Sequence, residues 1–322
     1  MPEPTSSAHR QRLLVRIFLL GLPLGLLLTG AGSMIWHHLH KDDADPPVPP
    51  HLADSLRRDP AAADIAATIR ILSEEIGPRN IDQPAKLRAA ASYLESSLSP
   101  LNMGYSPNKV TYEVPGAGEC AIFEADLPGV IDPDEIVIVA AHYDSPPGDP
   151  GAADNASGIA ALLALARSMT GLPQAKTVRF VAFPNGADPY AGTEVAAARF
   201  YARRANRESQ RITAAIFLKS LAFSQSEETP KLAVAPADGA GSQALAAQLA
   251  KATGGTLATS GGGSGGSGTS APPNAARFAE AGFPAAEITA GSRSEEAPAP
   301  IDAEAVAQAV LAVRKAVEAL AN

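Results

Sequence analysis

A histidine and two aspartates follow an apolar run in the middle of the chain. The run EIVIVA is followed by His142, then by Asp144, and Asp154 opens the next helical segment. An imidazole ring binds zinc through one nitrogen while a carboxylate fixes its tautomer through the other. A second carboxylate can bridge two metal ions about 3.5–4 Å apart. The spacing therefore suits a metal site with His142 and Asp154 as ligands and Asp144 as the orienting residue.

The same residues also have a purely structural explanation. Asp is a common N-cap, and Asp154 lies just before a helical segment that begins near Ser157. His142 would then be an interior histidine whose ring nitrogens are satisfied by hydrogen bonds. The histidine–aspartate spacing alone does not separate the two explanations.

The elements around these residues indicate an α/β domain. Helical segments alternate with five short apolar runs, EIVIVAAH, TVRFVAF, ITAAIFL, KLAVAPA and FPAAEIT. This alternation predicts a doubly wound, mostly parallel sheet sandwiched by helices. Sites in such sheets form at the carboxyl ends of the strands, which is where His142 falls.

The N-terminal part predicts a membrane anchor. Residues 17–36 carry no charge, and about 20 residues suffice for a helix to cross a bilayer. Three arginines precede this segment, namely Arg10, Arg12 and Arg16. The positive-inside rule predicts a cytoplasmic N-terminus and a domain on the periplasmic or extracellular side. The alternative is a cleaved signal peptide, for which residues 30–33 offer small side chains.

The chain divides into four predicted regions. A cytoplasmic N-terminus at 1–16 and the transmembrane helix at 17–36 precede a proline-rich linker at 37–58, and the α/β domain occupies 59–322. The formal charge of −8, without a basic run, excludes nucleic acid as a partner. The lone Cys120 excludes an intramolecular disulfide.

One long motif resembles a known family. The string AHYDSPPGDPGAADNASGIAALLALAR is similar to the first metal motif of the di-zinc leucyl aminopeptidase and glutamate carboxypeptidase family, which includes the glutaminyl cyclases. The strings SEEIGPRNIDQ, TVRFVAFPNGADPYAGTEV and AGFPAAEIT resemble its later and earlier landmarks in the expected order. The resemblance covers about residues 60–322. It implies a hydrolase that holds two zinc ions with two histidines and three carboxylates, and a glutamate base that activates the bridging water.

Several positions depart from that family pattern. The Glu-Glu pair that supplies the base and one ligand is replaced by Gly186 and Ala187, and Lys219 stands where the third strand carries an acidic ligand. The loop AGSRSEEAPAP lacks the final histidine ligand, and His142 is the only histidine after residue 51. A catalytic zinc site usually has three protein ligands. We therefore predict no resident cofactor, and zinc if any metal binds.

Lys219 offers a substitute for the missing metal charge. An unpaired carboxylate is costly in a pocket shaped for a dication. We hypothesise that the Lys219 ammonium acts as counter-ion to Asp154 or Asp144. The alternative is a solvated lysine that points outward.

Three functions are compatible with this pattern. The first is a catalytically impaired, membrane-anchored relative whose cleft binds a peptide or protein, with Lys219 and Asp188 as binding residues. The second is a working zinc exopeptidase that hydrolyses N-terminal peptide bonds and recruits Asp188, Glu295 or Glu296. The third is a structural or assembly protein.

Overall fold

The computed structural model describes residues 50–223, 231–258, 272–290 and 300–322. The predicted membrane helix at 17–36 lies outside these ranges, as do Glu295 and Glu296. In the described ranges, every helix is too short or too polar to cross a bilayer.

Eight strands form one sheet. They are β1 (Asn108–Val114), β2 (Gly118–Leu127), β3 (Asp132–His142), β4 (Lys176–Phe183), β5 (Arg211–Leu218), β6 (Leu232–Pro236), β7 (Thr256–Leu257) and β8 (Ala285–Ala290). Their order across the sheet is β1-β2-β4-β3-β5-β8-β6-β7.

The centre of the sheet is parallel and its margins are mixed. Strand β3 pairs parallel with β4 and β5, and β5 pairs parallel with β8. Strands β1, β2 and β6 pair antiparallel with a neighbour. Strands β1 and β2 are joined by a short turn, which permits only antiparallel pairing. The predicted α/β sandwich is confirmed, but the sheet that was predicted as mostly parallel is mixed, with its parallel part at the centre.

Helices cover both faces of the sheet. They are α1 (Pro50–Leu56), α2 (Ala62–Arg70), α3 (Pro84–Leu98), α4 (Ser157–Met169), α5 (Ala197–Arg207), α6 (Ala240–Thr253), α7 (Pro273–Glu280) and α8 (Ala303–Ala321). A π-helical turn, Ile71–Ile76, extends α2, and another, Ala152–Ala156, precedes α4.

Two cores separate these helices from the sheet. The larger core packs α2, α3, α4, α6 and α8 on one face, with Leu162 and Val310 fully enclosed. The smaller core packs α5 and α7 on the other face through Tyr201 and Phe278. Burial on both faces explains why the central strands are continuous apolar runs instead of alternating ones.

The predicted linker differs from the structure at its C-terminal end. Helix α1 lies within the range 37–58, and Ala53 is buried against Gly171. Arg57 Nη1 donates to the carbonyl of Thr170 at 3.2 Å. The packed domain therefore begins before residue 59. The sequence did not reveal this helix for two reasons. Prolines surround it, and the segment has too few apolar residues to show a helical period.

Candidate active site

Asp144 is the best-satisfied carboxylate of the site. It follows the last residue of β3 by two positions and is completely buried. Its Oδ1 lies 3.2 Å from His142 Nδ1 and accepts from the Gly186 amide at 2.9 Å. Its Oδ2 accepts from the Ala187 amide at 3.0 Å. Asp144 thus holds both the imidazole ring and the loop after β4.

Asp154 faces the other side of the imidazole ring. Its Oδ1 lies 3.1 Å from His142 Nε2, and its Oδ2 lies 3.9 Å from Lys219 Nζ. The first pair is at ion-pair distance, although its atoms lack hydrogen-bond alignment. Because Asp154, at the start of α4, and Lys219, at the end of β5, are distant in sequence, only the tertiary fold brings Lys219 to this carboxylate. The distance of 3.9 Å between Lys219 Nζ and Asp154 Oδ2 is short enough for the ion pair that the counter-ion hypothesis requires.

Asp154 does not occupy the N-cap position of α4. That position is Ala156, whose side chain makes no capping hydrogen bond. Asn155 instead accepts from the amides of Gly158 at 3.1 Å and Ser220 at 2.9 Å. Its Nδ2 donates to Leu218 O at 2.9 Å, so this amide ties the start of α4 to the end of β5.

Protonated side chains balance the negative charges of Asp144 and Asp154. Burial lowers the pKa of His142, but its close contacts with Asp144 and Asp154 and the charges of these two carboxylates outweigh burial and raise the pKa to about 9. His142 is therefore an imidazolium at neutral pH. With Lys219, it places two positive charges beside two carboxylates.

Position 186 has no room for a side chain. A Cβ on Gly186 would lie 2.4 Å from His142 Cβ and 2.8 Å from its Cγ. Asn274 Nδ2 donates to the Gly186 carbonyl at 3.0 Å, so the backbone is held from both sides. Ala187 is fully buried, whereas Asp188 is exposed on the adjoining loop. The loop therefore offers no carboxylate at the family's base position.

Sequence reasoning missed Glu287 on β8. This residue is 8% exposed, and its Oε2 accepts no hydrogen bond from any residue that the structure describes. Burial raises its pKa, while the charges of Lys219 and His142 act in the opposite direction. A lone glutamate inside the apolar run FPAAEIT was the available signal, because an acidic side chain is rarely placed in a buried strand without a role.

These donors do not fit a catalytic zinc. His142 and Asp154 are two ligands, one short of the usual three. Among the described residues, no three His, Cys, Asp or Glu side chains converge where a metal ion could be held. The Lys219 ammonium would also repel a dication that bound to Asp154 Oδ2.

Comparison with known proteins places these motifs in one family. The model of peptidase family M28 matches residues 125–306, more than half of the chain. Aminopeptidase YwaD of Bacillus subtilis (strain 168) is 51% identical over 49 residues, which are 15% of this chain and 11% of that protein. The chain thus spans only a small part of this curated relative.

Solved structures share the fold at low identity. BSAP, a zinc aminopeptidase from Bacillus subtilis, superposes with a TM-score of 0.65 at 17% identity, covering 82% of this chain and 96% of its own. A Fimbriiglobus ruber glutaminyl cyclase gives a TM-score of 0.65 at 19% identity, covering 81% and 96% of the two chains. The family match therefore carries the assignment and these folds agree with it: the chain belongs to peptidase family M28.

Proposed function

We propose that this chain is a membrane-anchored member of its family whose cleft binds a peptide or protein without hydrolysing it. The anchor is the predicted helix at residues 17–36, with the N-terminus in the cytoplasm and the domain on the extracytoplasmic side. We place this cleft at the carboxyl ends of the central strands, where His142 ends β3.

The packing of Gly186 against His142 carries the proposal. The resemblance implies that metal-assisted hydrolysis in this family needs a carboxylate base. It also implies that this base would stand at position 186. A Cβ there would lie 2.4 Å from His142 Cβ, so the ring occupies the space that the base would need. The site therefore differs from the family pattern in two ways. It lacks the carboxyl group of the base, and the backbone of Gly186 packs directly against His142.

The charge balance supports the same proposal. Two cationic groups, His142 and Lys219, stand beside Asp144 and Asp154. An ion-paired cluster of this kind satisfies carboxylates that would otherwise be unpaired in a buried site. It also competes with metal binding, because a dication must displace both positive charges.

The rim of the cleft keeps polar groups that can bind a ligand. Asp188 is exposed, and Lys219 retains 14% of its side-chain exposure. Tyr190 Oη donates to Asp82 Oδ2 at 2.7 Å, which joins the loop of Asp188 to the loop before α3. A rim held in this way presents its charges to a ligand at a low entropic cost.

Metal content and turnover test the loss of catalysis. The purified full-length chain, loaded with zinc and dialysed, is expected to retain well under one zinc per chain. It should also leave aminoacyl nitroanilides intact under conditions in which the Bacillus subtilis zinc aminopeptidase hydrolyses them. Two tightly held zinc ions with chelator-sensitive turnover would overturn the proposal in favour of a working zinc exopeptidase that recruits Asp188.

Peptide capture tests the binding role. The full-length chain is screened against an immobilised peptide library, and hits are measured again with Asp188→Ala. We expect affinity to fall about fivefold, as for one partly screened charge. Asp134→Ala, an exposed change at the opposite end of β3, is the matched control. A chain that captures no peptide would favour a structural or assembly role.

A further inference from the structure

Three large aliphatic side chains are exposed at one end of the domain. Leu101 is 89% exposed, Val130 68% and Ile131 72%. Single exposed apolar residues are normal on a protein surface. Their shared position is therefore the informative observation.

All three lie around the turn 170–175, which joins α4 to β4. A threonine hydroxyl of this turn donates to Met103 O at 3.0 Å, two residues beyond Leu101. The amides of Val130 and Ile131 donate to carbonyls of the same turn at 2.8 and 3.1 Å. The loops that carry the exposed side chains are thus fixed to one common segment.

The described chain also enters the domain at this turn. Helix α1 packs Ala53 against Gly171, and Arg57 bonds to the carbonyl of Thr170. Residues 37–49 alone separate the predicted membrane helix from α1. Thirteen residues span at most about 45 Å when fully extended. Helix α1, the first described element of the chain, therefore lies beside the turn to which the loops of the exposed aliphatic side chains are bonded.

We infer that the face formed by Leu101, Val130 and Ile131 rests on the lipid bilayer that holds the anchor. The inference depends on the anchor, which is part of the proposed function. Aliphatic side chains of a tethered domain gain by entering the boundary between headgroups and acyl chains. Asp132 and Asp134 are exposed beside Ile131, so a zwitterionic surface suits this face better than an anionic one.

The contact would orient the cleft. Ile131 directly precedes β3, and His142 ends it, so the two lie at opposite ends of an 11-residue strand. Such a strand is about 36 Å long. A domain that rests on Ile131 holds its cleft away from the bilayer, open to peptides from the extracytoplasmic side.

Quenching by spin-labelled lipids tests this contact. The full-length chain is reconstituted into phosphatidylcholine vesicles with a polarity-sensitive fluorophore attached at Leu101→Cys, Ile131→Cys or Glu119→Cys. Glu119 is exposed near the opposite end of the sheet and serves as the control. The native Cys120 is 4% exposed, and the unsubstituted chain labelled in parallel gives its background.

We expect lipid quenching at the two aliphatic positions to exceed that at the control about threefold, since only an interfacial probe reaches the labelled acyl chains. Adding Val130→Ser should lower the quenching at position 101. Leu101, Val130 and Ile131 are all on the surface, so these changes leave the core intact.

Two results would overturn the inference. Equal quenching at the labelled positions 101, 131 and 119, in chains that float with the vesicles, would refute the contact while leaving the anchor in place. A blue-shifted but unquenched label at position 131 would indicate contact with protein instead of lipid and would equally refute it. Chains that do not float with the vesicles would refute the anchor and the contact together.

Discussion

Asp144 shows at the scale of a single residue how one buried carboxylate joins two parts of the site. In the pattern that the resemblance implies, this aspartate orients a zinc-binding histidine. In this chain it also accepts hydrogen bonds from the backbone amides of Gly186 and Ala187, at 2.9 and 3.0 Å. Buried carboxylates require such donors, and here they come from the loop that would otherwise carry the base and a ligand.

Adding one methyl group at position 186 should be costly. Gly186→Ala places a Cβ 2.4 Å from His142 Cβ, so the loop or the ring must move. We expect the free energy of unfolding, measured in urea, to fall by about 1–3 kcal/mol. The control is Gly192→Ala on the following turn, where a Cβ meets nothing within 4 Å. Equal stability of both variants would contradict the close packing.

The His142 ion pairs predict a dependence of stability on pH. The folded pKa of about 9 lies above the ordinary histidine value of 6.5, so the proton stabilises the folded state. This stabilisation, about 3 kcal/mol, should be complete below pH 6.5 and be lost as the pH rises through 9. His142→Gln should remove this slope. A flat wild-type profile between pH 6.5 and 9 would show that the imidazole is not charged in the fold.

Exchanging the charge of Lys219 tests its role as counter-ion. Lys219→Glu replaces a cation 3.9 Å from Asp154 with a carboxylate. We expect lower stability without metal and a gain of zinc binding, because His142, Asp154 and the new side chain would supply three ligands. Lys219→Met removes the charge without adding a ligand and should lose stability only. If the glutamate variant changes neither stability nor zinc uptake, the counter-ion hypothesis is wrong.

At the scale of the elements, the start of α4 is held by an amide side chain. Asn155 is completely buried and joins this helix to the end of β5 through Gly158, Ser220 and Leu218. The connection places Asp154, the preceding residue, between His142 and Lys219. The helix start and the strand end must keep their spacing for these charges to meet.

Removing that amide should loosen both elements. Asn155→Ala deletes three hydrogen bonds and leaves buried backbone groups unsatisfied, which we expect to cost about 2–4 kcal/mol by chemical unfolding. The control is Asn102→Ala, whose exposed side chain donates one bond to Ser96 O. It should cost at most about 1 kcal/mol. A loss at position 155 no larger than at 102 would show that the elements are held by packing alone.

At the scale of the whole molecule, the fold of a peptidase is combined with a site in which the described residues bring together two of the family's metal donors, His142 and Asp154. A ligand that binds only the native state raises stability by about 2.7 kcal/mol at a hundredfold excess over its dissociation constant. Zinc should give no such effect here. We expect the melting temperature of the full-length chain to stay within about 1 °C on adding zinc, and a rise of several degrees would contradict the ligand inventory.

The architecture could be predicted because its signals are local. The alternation of apolar runs with helical segments reports which residues face a core, and a sheet covered on both faces is one of few ways to bury them. The departures from the family's metal pattern depend equally on local sequence, since His142 is the only histidine after residue 51. These features depend on residue type and order alone.

The tertiary structure decided which distant side chains meet. It packed Gly186 onto the His142 ring, brought Lys219 within 3.9 Å of Asp154, and buried Glu287 in the same site. It also formed a helix within the predicted linker. Local periodicity contains no information about these contacts, because their distances depend on how strands and loops far apart in the chain are stacked. The sequence by itself determined the layers and the missing ligands, and only the folded chain determined what took their place.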